Sequence, residues 1–172
     1  MIGRSALRAF WAWYNRHYAL HLAFTATLFA LQIVHLVWLS TDVVAQRITG
    51  DGFFRFNGIA RTLILIVDYT EIPALVGTSF IYLNELRKGF SWKNLAFLVF
   101  LNSQWLHIFW ITDEFVVAEL GNGVGSALPV WLAWVAIGID YLELPVIYDV
   151  LRRLVASLRA GGISDSLRQV VE

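Results

Sequence analysis

Residues 18–40 read YALHLAFTATLFALQIVHLVWLS, an apolar run without a single Asp, Glu, Lys or Arg. A helix needs about 20 apolar residues to cross the roughly 30 Å hydrocarbon layer of a bilayer. The run is therefore long enough to span a membrane as a helix. It follows Arg16 without a small-residue cleavage site, so we interpret it as a retained helix and not as a signal peptide.

Three further apolar stretches of similar length follow, at about 61–83, 94–117 and 129–151. None of the four alternates apolar and polar residues, and four isolated strands could not close a barrel. The chain is therefore predicted to be a single all-α membrane domain over 1–172, with a four-helix transmembrane bundle. The bilayer is its first expected partner.

The composition agrees with this class and excludes several others. The 172 residues are 58% hydrophobic and 15% charged, whereas soluble domains average about 25% charged residues. Thirteen Lys and Arg balance thirteen Asp and Glu, so the chain has no net positive charge that would attract a nucleic acid. The absence of cysteine excludes disulfides, zinc fingers, iron–sulfur clusters and thiol catalysis.

The distribution of Lys and Arg predicts the orientation. Ten of the thirteen lie in the N-terminal segment, the loop between the second and third spans, and the C-terminal tail; three lie in the first loop. The positive-inside rule then places both termini in the cytoplasm of a multi-pass protein, in a plasma or inner membrane. Aromatic residues among arginines predict an interfacial helix at 4–16, and residues 152–172 are expected to form an amphipathic cytoplasmic tail.

The polar residues of the spans recur at one constant offset along the chain, which indicates a tandem duplication. Both halves contain Q-x-x-H-x-x-W, followed at the same distance by D-Y-x-E-[IL]-P. The matched pairs are Gln32 and Gln104, His35 and His107, Trp38 and Trp110, Asp68 and Asp140, Tyr69 and Tyr141, Glu71 and Glu143, and Pro73 and Pro145. Residues 18–83 (the first hairpin) and 94–151 (the second hairpin) would be related by a pseudo-two-fold axis along the membrane normal.

Helical spacing and antiparallel depth predict that the ionisable residues of both hairpins meet in one layer. An Asp at mid-membrane costs about 2.5–3.5 kcal/mol on the mildest scale, and no Lys or Arg lies at that depth. Four carboxylates would be balanced by two divalent cations. The expected metal ligands are His35, His107, Asp68, Asp140, Glu71 and Glu143.

Nitrogen and oxygen ligands without sulfur suit iron, manganese or zinc. We therefore expect a di-metal centre that activates water or oxygen, in a hydrolase or oxidoreductase that acts on a lipophilic substrate. Glu71 or Glu143 is the candidate base. Gln32, Gln104, Tyr69 and Tyr141 are expected to surround the ligands and orient them.

Other readings stay open at this stage. Buried acids also suit a proton- or cation-coupled transporter, with Glu71 and Glu143 as carriers. His35 and His107 could clamp a b-type haem beside Trp38 and Trp110, as in an electron carrier. The chain could also form a homo-oligomer or a structural subunit of a larger membrane complex.

Overall fold

The computed structural model of this protein describes residues 2–53, 58–113 and 129–160. These ranges contain helices and connecting turns, and no strand. The helices are α1 (Ile2–Arg16), α2 (Tyr18–Trp38), a π-helical stretch (Leu39–Val44), α3 (Ala45–Thr49), α4 (Gly58–Tyr69), α5 (Glu71–Lys88), α6 (Trp92–Ile111), α7 (Val130–Tyr141) and α8 (Glu143–Arg159).

Within the described ranges, four helical segments are long and apolar enough to cross a membrane, which confirms the predicted all-helical class. They are Tyr18–Thr49, Gly58–Lys88, Trp92–Ile111 and Trp131–Arg159. The predicted end of the third span, 112–117, and the tail 152–172 lie partly outside the described residues.

The first span is longer than its predicted boundary at residue 40. Ser40 Oγ donates to the Leu36 carbonyl (2.8 Å) and Thr41 Oγ1 to the Val37 carbonyl (2.7 Å). Because these hydroxyls bond back into the helix, polar residues that resemble a helix end do not terminate it. The helix continues through the π-helical stretch and ends at Gly50, whose positive φ of 86° suits a helix C-terminus.

The spans form a closed ring of neighbours around one core. α2 packs against α5 and α8, and α6 packs against α5, α7 and α8. The apolar centre includes the fully buried side chains of Leu22, Phe29, Leu75, Leu101 and Val146. Between membrane helices, close packing and interhelical hydrogen bonds supply the attraction, since lipid tails are as apolar as leucine.

The second and fourth spans are each broken at an equivalent residue. α4 ends at Tyr69 and α5 begins at Glu71, while α7 ends at Tyr141 and α8 begins at Glu143. The two linking residues, Thr70 and Leu142, have the same backbone angles, φ −69° and ψ −12°. Each break is followed by a proline that donates no backbone hydrogen bond.

The N-terminal helix α1 docks on the first hairpin through aromatic side chains. Trp11 and Tyr14 lie beside Phe80 of α5, and Tyr14 stacks on His21 with ring centroids 4.6 Å apart. The Arg87 guanidinium lies 4.8 Å from the Trp11 ring centroid, a cation–π contact. Burial raises the pKa of the Tyr14 hydroxyl, which therefore stays neutral. The interfacial location of α1 remains a prediction.

A cluster of charged side chains lies at the end of the bundle where α1 is packed. Asp149 is buried and accepts hydrogen bonds from Lys93 Nζ (2.5 Å), Arg153 Nε (2.7 Å) and the Tyr82 hydroxyl (3.1 Å). Arg153 also lies 3.9 Å from Glu85 and donates to Asn94. These contacts join α5, α6 and α8, and the sequence repeat gave no sign of them because Gly77 occupies the position matching Asp149.

Candidate metal centre

All six residues predicted as metal ligands are buried, and none exposes more than 5% of its surface. The two histidines come from α2 and α6, and the two aspartates from the last turns of α4 and α7. The two glutamates are the first residues of α5 and α8, directly after the helix breaks. Each break therefore places the aspartate and the glutamate of its hairpin on two different helical segments.

His35 lies between the two aspartates. Its Nδ1 contacts Asp68 Oδ1 of the same hairpin, and its Nε2 is 2.9 Å from Asp140 Oδ2 of the other hairpin. The imidazole therefore connects the two halves of the chain. This contact agrees with the predicted convergence of residues from both hairpins.

His107 completes a compact group with His35 and Asp140. The two imidazole centroids are 5.4 Å apart with an interplanar angle of 77°, and His107 Nε2 is 3.9 Å from Asp140 Oδ1. One ligand atom from each of the three residues lies within 4.8 Å of the others, so the group can hold a metal ion. Asp68 and the two glutamates lie outside this three-residue group.

Several buried polar atoms around this group have no hydrogen-bond partner among the described residues. They include both ring nitrogens of His107, both carboxylate oxygens of Glu143, and Glu71 Oε1. Glu71 is within electrostatic reach of Glu143, Asp140 and His35. Buried nitrogen and oxygen atoms are costly without a partner, and their chemistry fits a divalent cation such as iron, manganese or zinc.

Gln32 and Gln104 support the helix breaks and not the imidazoles. Gln32 Nε2 donates to the Val67 carbonyl (3.1 Å) and to Thr70 Oγ1 (3.2 Å). Gln104 Nε2 donates to the carbonyls of Ile139 (3.0 Å) and Asp140 (3.3 Å). We expected these amides to orient the ligands, but among the described residues they do not bond to the histidines and instead bind backbone oxygens near the broken helical turns.

Tyr69 and Tyr141 connect the two hairpins at the same level. The Tyr69 hydroxyl is 2.9 Å from Thr112 Oγ1, and the Tyr141 hydroxyl is 2.6 Å from Ser40 Oγ. Ser40 and Thr112 were not identified from the sequence. They occupy matching positions of the repeat that differ in residue type but share a hydroxyl, and comparing side-chain chemistry instead of identity would have found them.

Trp38 and Trp110 lie beside the histidines in the same arrangement. The His35–Trp38 and His107–Trp110 centroid distances are both 5.6 Å, with interplanar angles of 54° and 53°. Both indoles are buried, at 7% and 2% exposure. They therefore pack around the centre instead of forming an exposed aromatic belt.

The part of the chain that the structure describes is all-helical, with four helices able to cross a membrane and a buried His/His/Asp group able to hold a metal ion. No family model matches the chain, and neither a curated protein nor a solved structure matches it. The argument for its function therefore rests on its own residues.

Proposed function

We propose that this chain is a membrane-embedded metalloprotein whose two hairpins jointly bind divalent metal. The observation that carries the proposal is the group formed by His35, His107 and Asp140, which brings ligand atoms of both hairpins within 4.8 Å. Burial keeps water from solvating these groups. A bound cation compensates for the lost hydration and neutralises the carboxylates.

The proposed architecture is a duplicated hairpin with pseudo-two-fold symmetry and both termini in the cytoplasm. Contacts that recur at matching positions of the two hairpins support the duplication. The glutamine bonds to Val67 and Ile139 are one such pair, and the tyrosine bonds to Thr112 and Ser40 are another. The identical backbone angles at Thr70 and Leu142 are a third.

We further propose that Asp68, Glu71 and Glu143 extend the three-residue group into a two-ion centre. Two divalent cations balance the four carboxylates of the layer, and the unpartnered oxygens of Glu71 and Glu143 supply donors for a second ion. Such a centre would activate water or oxygen, and Glu71 or Glu143 would be available as a base. A haem clamp is less well supported, because both nitrogens of His35 face aspartates.

The substrate class that we propose is lipophilic, and the reaction is hydrolysis or oxidation. A crevice lined by Asp68, Tyr69, Glu71, Ile108 and Ile111 lies between the second and third spans. Its lining joins apolar side chains to two of the proposed ligands. The crevice has no room for a water molecule in this conformation, so a molecule dissolved in the bilayer would reach the centre by this lateral route only when the second and third spans move apart.

Elemental analysis of the purified protein tests the proposal. We expect about two ions of iron, manganese or zinc per chain, and His107→Gln is expected to lose at least one of them. His107 is a suitable choice because its side chain forms no hydrogen bond to another side chain among the described residues. His17→Gln, outside the centre, is the matched control and should keep the wild-type metal content.

The number of bound ions distinguishes the general proposal of a metal site from the more specific proposal of a two-ion centre. One ion per chain would retain the metal site and contradict the two-ion centre. Metal-free protein that remains folded after gentle extraction and metal supplementation would contradict both. If such metal-free protein moved protons or cations across vesicles, the buried acids Glu71 and Glu143 would instead belong to a transporter.

A further inference from the structure

A polar pair lies at mid-span on the outer surface of the bundle. Asn102 is in the middle of α6 (Trp92–Ile111) and its side chain is exposed, and Ser79 is in the middle of α5 (Glu71–Lys88). This surface lies outside the interior of both hairpins and is not part of the metal centre. Polar side chains at this depth are enriched where membrane helices associate.

The pair leaves one donor and one acceptor without a partner. Asn102 Nδ2 donates to Ser79 Oγ (3.1 Å) and to the Leu98 carbonyl (2.8 Å), which uses both amide hydrogens. Across the described ranges, Asn102 Oδ1 accepts no hydrogen bond and the Ser79 hydroxyl proton finds no acceptor. Lipid tails can satisfy neither group.

A groove and a projecting side chain accompany the pair. The groove has a volume of about 210 Å³, runs between α5 and α6, and is lined by Leu75, Val76, Ser79, Phe80, Leu83, Asn102 and Trp105. The Trp105 indole is 45% exposed. One surface therefore carries both a cleft and a bulky apolar group next to the polar pair.

The equivalent surface of the other half lacks these features. In the repeat, Asn102 and Trp105 are matched by Ala30 and Ile33 of the first hairpin, and Ser79 is matched by Leu151 of the second. The pair is therefore not part of the packing that both hairpins repeat, and its unused donor and acceptor are available to a protein neighbour on this side only.

We infer that the α5/α6 surface binds a second copy of this chain, related by a two-fold axis along the membrane normal. Such an axis makes the contact reciprocal, because the Ser79 hydroxyl of each copy faces Asn102 Oδ1 of the other. The unused donor and acceptor then satisfy each other twice, and each Trp105 faces the partner's groove. The inference does not depend on the metal centre.

Single-cysteine cross-linking tests the dimer, and the chain contains no native cysteine to interfere. Leu106 lies one helical turn after Asn102 on α6, and Val34, at the matching position of α2, is the control; they are 57% and 56% exposed. In oxidised native vesicles, Leu106→Cys is expected to form a disulfide-linked dimer at least ten times more than Val34→Cys. Equal yields, or more dimer from Val34→Cys, would overturn the inference.

A second variant tests the polar contact itself. In the Leu106→Cys background, Asn102→Ala is expected to lower the cross-linking yield about ten-fold, whereas Thr27→Ala leaves it unchanged. Thr27 is a suitable control because it is exposed on α2 and its hydroxyl already bonds to the Ala23 carbonyl. Monomeric protein that retains bound lipid in native mass spectrometry would mean that lipid covers this surface, and the dimer would be wrong.

Discussion

His35 and Asp140 belong to different hairpins, yet His35 Nε2 lies 2.9 Å from Asp140 Oδ2 at the buried centre of the bundle. The other nitrogen of the same ring contacts Asp68 of its own hairpin. A single imidazole therefore joins the two halves. Loss of Asp140 should consequently affect both the proposed metal site and the association of the hairpins.

The two aspartates are expected to contribute unequally to metal binding. Asp140 contacts both histidines, whereas the described contact of Asp68 is with His35 alone. Asp140→Asn should therefore weaken the metal affinity about ten-fold more than Asp68→Asn, because Asp140 is a proposed ligand of the three-residue group and even groups that only orient a ligand typically contribute about 10–100-fold. Competitive metal titration of the two purified variants measures the difference. Equal metal affinities of the two variants would show that the different contacts of Asp140 and Asp68 do not affect metal binding.

Gln32 and Gln104 are expected to stabilise the fold because their amides bind backbone carbonyls at the helix breaks. Replacing either glutamine with leucine leaves a buried carbonyl with fewer donors, which should lower the free energy of unfolding by about 1–3 kcal/mol. Unfolding in mixed micelles measures the effect. Gln46→Leu, at an exposed position, should be neutral. A loss of metal without a loss of stability would instead favour the role around the histidines that we expected from the sequence.

The convergence of histidines and aspartates was predictable because helix geometry fixes depth. Each residue advances the helix by a constant rise of about 1.5 Å, so positions counted from the ends of two antiparallel spans indicate which side chains meet. The contacts of His35 with both aspartates agree with that reasoning. The motifs that recur in the two halves further indicate which polar residues to compare within this one sequence.

The partners of the surrounding residues were not predictable in the same way. A glutamine one turn from a histidine can bond either to that histidine or to a neighbouring helix. Here the amides bond to the carbonyls of Val67 and Ile139, which lie near the broken turns of the neighbouring helices. The hydroxyls of Ser40 and Thr112 were overlooked because their residue types differ between the hairpins. The cluster around Asp149 joins residues far apart in sequence, and no spacing rule connects them.

Asp149 is expected to stabilise the charged end of the bundle independently of the metal centre. Asp149→Asn removes the shared partner of Lys93 and Arg153. Removing one partner from a buried ion pair costs about 3–5 kcal/mol, but half-exposed Lys93 can regain water, so we expect about 1–3 kcal/mol. Thermal unfolding measures the loss, and elemental analysis should show an unchanged metal content. A metal-depleted but equally stable variant would contradict the separation of the two sites.

Gly77 is expected to be required for the close approach of the first two spans. A β-carbon at Gly77 would lie 2.8 Å from Thr25 Oγ1, whereas one at Gly138 would meet no atom within 4 Å. Thr25 is fully buried, and its β-branched side chain has few alternative rotamers in a helix. Gly77→Ala should therefore destabilise the protein by about 1–3 kcal/mol through overpacking.

Gly138→Ala is the matched control for this change. Alanine is favoured over glycine within a helix by about 0.8–1.0 kcal/mol, so Gly138→Ala should be neutral or stabilising. Thr25→Ala combined with Gly77→Ala should recover most of the lost stability, because it removes the hydroxyl that the new methyl group meets. A double-mutant cycle by unfolding in mixed micelles measures this coupling. If the two substitutions were additive, or if Gly138→Ala were as harmful as Gly77→Ala, the contact between α2 and α5 would not be the cause.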